Sequence, residues 1–275
     1  GTVNAAFGRL ALTSNTTGGS NTACGQGALE NNTTADNNAA VGTNSLQANV
    51  TGTGNVAVGS HALQDNTTSF NTAVGYNAAK DTTSGLANVA VGTSALVSNT
   101  TGSNNTAIGL DTLQTSTTAS SNTAIGRDSM KSNTTGTTNT AVGYVTLDSN
   151  TTGSSNVAVG YDALGDSDTA INNTAIGVNS GLGISSGSSN VVVGYNAGRD
   201  LIGSTDNQLY IARSNTAAGS AATWIHGQSN GSCIQGNNSS SWTTTSDQRL
   251  KKDIVANTVG LSIINNITVK NFKYK

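Results

Sequence analysis

The stretch NTAVGY, Asn71 to Tyr76, decides the fold. Its first five residues, N-x-A-[V/I]-G, recur along most of the chain. Twelve such pentads begin at Asn4, Asn21, Asn38, Asn55, Asn71, Asn88, Asn105, Asn122, Asn139, Asn156, Asn173 and Asn190, with a degenerate return at Asn207. Eleven of the twelve intervals are 17 residues, and the one from Asn55 to Asn71 is 16. A fixed period means a stack of like units. Ser/Thr/Asn-rich disorder needs no such phase.

Each slot of the pentad has its own physical reading. Slot four is apolar in every copy, from Phe7 and Cys24 through Val41, Val58, Val74 and Val91 to Ile176 and Val193, and slot three is Ala except at Val192. Slot two alternates among Ala, Thr and Val. Neighbouring residues of a strand point to opposite faces, so slots two and four share one side and slot three takes the other. Neither side carries charge, so the strand is expected to be shielded on both. The coil interior covers one side, and sister chains cover the alanine side. Slot five is always Gly and reads as the corner that ends the strand. Four residues later comes an apolar anchor such as Leu12, Leu29 or Met130, with Ala79, Gly181 and Gly198 as exceptions. A turn rich in Asn, Thr and Gly follows, as in SNTTGSN at Ser98 to Asn104. Each coil therefore reads as short strand, Gly corner, second short segment and loop.

Slot one is Asn throughout. Coils stacked about 4.8 Å apart would bring these amides into register, where side-chain hydrogen bonds along the stack can satisfy them. Twelve rungs at that spacing give a rod of roughly 60 Å. The chain has no proline, as expected where every coil must donate its N–H groups to a neighbour. The pattern favours a two-sided parallel β-roll. A left-handed triangular β-helix is the rival, but it wants three large apolar slots per coil where this repeat supplies two.

Composition excludes several classes. Of 275 residues only 9% are charged, against roughly 25% in average soluble domains, and the net charge is −2. No basic field exists to hold nucleic acid, so none is expected as a partner. No apolar run approaches the ~18 residues of a membrane span, so no membrane insertion is expected. The start at Gly1, without Met, reads as a cut from a longer protein. Cys24 and Cys233 lie far apart without CxxC spacing, and Cys24 reads as a buried small hydrophobe. His61 and His226 are isolated, so no metal and no cofactor are expected. The NTT triplets at Asn15, Asn32, Asn66, Asn99, Asn133 and Asn150 match the glycosylation sequon, yet turn chemistry already accounts for them. Tyr76, Tyr144, Tyr161 and Tyr195 follow the pentad glycine and read as corner packing, with sugar stacking as the alternative. A glycan-degrading enzyme needs paired carboxylates in a cleft, and the 14 acidic residues fall mostly in variable loop positions.

Over Gly1 to about Asn207 the pentads resemble the head repeats of trimeric autotransporter adhesins. They resemble still more the NTAVGYNAL…NTTG repeats of bacteriophage and large-virus tail fibres. That resemblance implies a homotrimer of parallel chains. TSDQRLKKDI, Thr245 to Ile254, is similar to the opening of the intramolecular chaperone (S74 peptidase) domain of endosialidase-type tail spikes. NQLYIARS, Asn207 to Ser214, resembles the strand that often precedes it, and ITVKNFKYK, Ile267 to Lys275, adds to the match. The resemblance implies self-cleavage between Thr245 and Ser246, with Ser246 as nucleophile and Lys251 as its base. This would be at most a single-turnover serine endopeptidase activity. Asp247 and Arg249 belong to the motif without an assigned role. A family chaperone domain runs on for many tens of residues, whereas 30 remain here from Ser246.

These readings divide the chain into a solenoid shaft over 1–207, a β-rich cap over 208–245 centred on Trp224, Ile225 and Ile234, and an incomplete chaperone start over 246–275. The last part includes the helically spaced Leu250, Ile254, Leu261 and Ile264. The fold class is all-β: a trimeric parallel β-roll or β-solenoid of about twelve 17-residue coils, with a short partly helical C-terminal segment. The expected role is a rigid segment of a virion tail fibre or spike. Its partners would be sister chains, other tail proteins and a host surface receptor, a glycan among the candidates. A bacterial trimeric surface adhesin head is the alternative.

Overall fold

The structure, a computed structural model, describes residues 2–199, 204–213 and 223–235, and all structural statements concern these. It is all-β, with no helix among the described residues. Twelve three-residue strands, one per coil, stack in chain order: β1 Ala5–Phe7, β2 Thr22–Cys24, β3 Ala39–Val41, β4 Val56–Val58, β5 Thr72–Val74, β6 Val89–Val91, β7 Thr106–Ile108, β8 Thr123–Ile125, β9 Thr140–Val142, β10 Val157–Val159, β11 Thr174–Ile176 and β12 Val191–Val193. Each pairs in parallel with the next, slot on slot, as in Ala107 opposite Ala124 and Ile108 opposite Ile125. β13 (Leu209–Ala212) extends the parallel sheet, and β14 (Thr223–Gly227) and β15 (Cys233–Gln235) add to it antiparallel.

The repeat thus forms a solenoid of about twelve turns with a single sheet. The expected second short segment of each coil is a run of turns and not a strand. Numbering each coil from its Asn as position 1 makes the reason plain. Positions 5, 7, 9 and 17 all have positive φ, as in Gly92 (133°), Ser94 (54°), Leu96 (56°) and Asn104 (60°). Left-handed residues spaced so closely keep the backbone from extending. They do not leave it unpaired. In the coil beginning at Asn88, Val89, Leu96, Ser98 and Thr100 donate N–H bonds forward to the next coil. Gly92, Ser94 and Asn104 donate back to the one before. Every side of the coil is therefore sewn to its neighbours, and a proline at any of these positions would remove an inter-coil bond.

One face of the strand is the reverse of the expected one. Slot-three alanines such as Ala57, Ala90 and Ala124 are 0% exposed and face the coil interior, while slots two and four face out. The physical reason is volume. The leucines at position 9 come across from the other side of the coil and fill it, and Leu29, Leu46, Leu63, Leu96, Leu113 and Leu147 are fully buried. Only alanine fits opposite them. Where position 9 is Gly181, position 12 becomes Ile184. A Cβ on Gly181 would meet Leu164 Cδ2 at 3.0 Å and Ile184 Cδ1 at 3.2 Å, so the isoleucine occupies the space a leucine side chain takes elsewhere. The core keeps its volume by exchanging positions.

The register also shifts once near the end. Gln208, not Asn207, takes slot one: its N–H reaches Asn190 Oδ1 at 2.9 Å across a separation of 18 residues, and Asn207 has the position-17 conformation at φ 57°.

Candidate functional surface and the amide ladders

Two polar ladders run through the interior. Each slot-one Asn joins its own coil to the next. Asn105 Nδ2 donates to Ala119 O at 2.8 Å within its coil, and its Oδ1 accepts the backbone N–H of Asn122 at 3.0 Å. The pattern repeats from Asn4 to Asn190. Side chain-to-side chain contacts, such as Asn105 Nδ2 to Asn88 Oδ1 at 3.2 Å, are secondary, so the expected amide ladder is mainly bonded to backbone.

A second ladder at position 12 went unseen in the sequence reading, which assigned these residues to turn chemistry. Asn99 Nδ2 donates to Gly102 O at 3.0 Å, the same carbonyl that Asn88 Nδ2 reaches at 2.9 Å. Asn150 Nδ2 reaches Asn133 Oδ1 at 2.8 Å. Recurrence of Asn ahead of Thr-Thr in six coils is the signal the sequence carries. Asn32, Asn66, Asn99, Asn133 and Asn150 are fully buried, which removes these five sequons from modification in the folded chain. The ladder breaks where serine replaces Asn. There Asn99 Oδ1 and Ser116 Oγ, and Asn150 Oδ1 and Ser167 Oγ, are buried without a partner among the described residues.

The outer surface of the sheet carries the candidate interaction face. Slot four presents Val41, Val58, Val74, Ile108, Ile125 and Ile176 at 36–44% exposure, flanked by slot-two Thr and Val. No charge interrupts these two rows over twelve coils. Cys24 lies in this row and is exposed, not buried as its slot suggested. The position-6 tyrosines are not packed into a corner either. Tyr76, Tyr144, Tyr161 and Tyr195 are 44–58% exposed. Tyr144 and Tyr161 rings lie 5.6 Å apart, with the Arg127 guanidinium 5.6 Å above Tyr144.

Charge among the described residues lies off the two slot rows. Lys131 Nζ bonds Asp128 Oδ1 at 3.0 Å, and this hydrogen bond raises the lysine pKa. Burial first, then the negative charge of Asp128, raises the Asp148 carboxyl. Burial first, then Asp166, raises that of Asp162. Beyond the coils, Tyr210 and His226 are buried and stack at 4.3 Å. Burial lowers the His226 pKa and raises that of Tyr210. Of the residues expected to centre the cap, Ile225 is half-buried, while the side chains of Trp224 and Ile234 lie outside the description.

Thr245, Ser246, Asp247, Arg249 and Lys251 also lie outside the described residues, as do Trp242 and the helically spaced Leu250, Ile254, Leu261 and Ile264. Among the described residues no group of three or more His, Cys, Asp or Glu is placed to hold a metal ion, and no helix is long and apolar enough to cross a membrane. Comparisons with protein-family models, curated proteins and solved structures found no match to this chain.

Proposed function

We propose that the chain is a shaft segment of a virion tail fibre or spike, in which three parallel copies pack through the slot-two and slot-four rows and hold an attachment surface away from the particle. The observation that carries this reading is the uncharged, largely apolar face that slots two and four present on every coil. An exposed apolar surface of this length is unusual on a solitary soluble chain. A sister chain has the same rise per coil, so it can match the rows rung for rung. Covering a Val or Ile that is about 40% exposed yields roughly 1 kcal/mol, so the ten most exposed residues of these rows offer on the order of 10 kcal/mol per chain. Parallel pairing with long loop closures registers slowly without help, which gives a C-terminal chaperone its purpose.

On the same reading Ser246 Oγ attacks the Thr245 carbonyl while the neutral Lys251 amine accepts its proton; the Thr245–Ser246 C–N bond then breaks as Lys251 returns that proton to the departing Ser246 nitrogen, and water hydrolyses the ester left on Oγ. Desolvation favours that neutral amine. Ser246→Ala should then leave chains of full mass, and equal processing in that variant would remove Ser246 from the mechanism. The adhesin-head alternative shares the repeats and differs in lacking a TSDQRLKKDI motif.

Light scattering tests the assembly. The wild-type chain should have three times its 27.4 kDa mass, less any cleaved segment. Ile125→Glu should shift it to a single subunit while far-UV circular dichroism is retained, because Ile125 faces away from its own coil. A monomeric wild type, or a trimer undisturbed by Ile125→Glu, refutes the reading.

A further inference from the structure

We infer that the shaft carries a saccharide-binding groove on the corner formed by His61, Gln64, Asp65, Tyr76, Asn77 and Lys80. These residues enclose an open groove of about 390 Å³, within the size range of small-molecule clefts. It arises where positions 7 and 10 of successive coils stand apart. In two other coils positions 7 and 10 close on each other within the coil, as Gln114 Nε2 does on Asp111 Oδ1 at 3.0 Å and Lys131 Nζ on Asp128 Oδ1 at 3.0 Å. No such side-chain bond joins His61 to Gln64 or Asn77 to Lys80, and the corner is left open between two coils.

The lining matches a polyol with an apolar face. The Tyr76 ring is 54% exposed and is held edge-on by His61, with centroids 6.1 Å apart at 84°. Ser60 Oγ contacts His61 Nδ1 at 3.0 Å, which fixes the imidazole and leaves Nε2 for a ligand. A fixed, exposed phenol ring beside polar groups suits the C–H face of a pyranose.

The walls supply both donors and acceptors. Asp65 offers a carboxylate, Asn77 a carboxamide and Lys80 an ammonium. Lys80 also lies 3.4 Å from Asp81, so the groove has no excess positive charge to select an anion. Gln64 donates Nε2 to Gln47 Oε1 at 3.3 Å, while its own Oε1 is buried without a partner among the described residues. The terminal torsion of Gln is broad, so a small turn would present that oxygen to a ligand hydroxyl. A neutral saccharide satisfies these groups together. A nucleic acid would lack the cationic surface it needs.

This inference deepens the attachment role of the proposed fibre, which would display one groove per chain and bind multivalent glycans by avidity. Its geometry lies within one chain, so it can be tested apart from assembly. Saturation-transfer NMR on the assembled wild-type protein would use the methyl glycosides of glucose, galactose, mannose and N-acetylglucosamine. At least one should bind with millimolar affinity. Tyr76→Ala and Asp65→Asn should each weaken it tenfold or more, and Tyr195→Ala on a distant coil should leave it unchanged. Circular dichroism confirms folding of each variant. Absence of transfer to all four sugars, or binding insensitive to Tyr76→Ala, overturns the groove. A trimer that fails this test leaves the shaft reading intact, and a binding monomer keeps the groove while removing the shaft.

Discussion

Replacing Asn105 by alanine removes two bonds that nothing nearby can remake. Asn105 Nδ2 is the side-chain donor to Ala119 O at 2.8 Å, and Asn105 Oδ1 accepts the N–H of Asn122 at 3.0 Å. In this coil position 12 is Ser116, whose hydroxyl has no partner, so no second amide covers the Ala119 carbonyl. Two orphaned buried groups at about 1–3 kcal/mol each give a loss of roughly 2–6 kcal/mol. Asn122→Ala is the internal control. It too orphans an N–H, that of Asn139, but Gly136 O keeps a donor in Asn133 Nδ2 at 3.1 Å. It should therefore cost less by about 1–3 kcal/mol. Ser116→Asn should supply the missing donor and also satisfy Asn99 Oδ1, so it should stabilise the wild type and rescue part of the Asn105→Ala loss in a double-mutant cycle. Urea unfolding at one fixed protein concentration measures all five chains, because assembly would otherwise shift the midpoints. Asn105→Ala within about 0.5 kcal/mol of wild type, or equal to Asn122→Ala, would refute the ladder reasoning.

Three further outcomes are expected. Gly92→Ala places a Cβ 2.3 Å from the Gly109 carbonyl oxygen at a φ of 133°, and strain plus displacement should cost about 2–6 kcal/mol, read as a lower urea midpoint. His226 gives its Nε2–H to Gln208 Oε1 at 3.1 Å, whose orientation is set by its own bond to Asp206 O, so protonation would add a buried Nδ1–H without an acceptor. With the folded pKa below the ordinary 6.5, the unfolded chain binds the proton first. Stability should therefore fall as pH drops below about 6.5, and His226→Gln should flatten that slope in pH-dependent melting. Asp148 has the opposite sign: its folded pKa lies above the ordinary 3.8, so its ionised form is a liability at neutral pH, and Asp148→Asn should raise the thermal midpoint at pH 7 with less gain near pH 4.

Much of the fold was legible because each coil repeats the same local constraint. An invariant Gly at slot five signals a backbone that no side chain could follow, and the structure places a neighbouring carbonyl where its Cβ would go. Invariant Asn at slot one signals a buried amide in register with others. The position-12 ladder had a weaker signature, a recurring but not invariant Asn, and Asn-Thr-Thr reads equally well as ordinary turn chemistry. The opening at His61 and Tyr76 had no signature, since it depends on side chains from two coils failing to meet.

What the sequence determined by itself was the period, the parallel slot-on-slot stacking and the residues unable to vary. What only the tertiary structure decided was which side of the strand faces in. Alternation assigns residues to two sides but cannot label them when both lack charge, and here the label follows from volume across the coil: the position-9 leucines fill the interior, alanine is all that fits against them, and the valines and isoleucines are turned outward. The same packing decided that Ile184 stands in for a missing leucine and that Gln208 closes the register, because both depend on space and partners supplied by neighbouring coils.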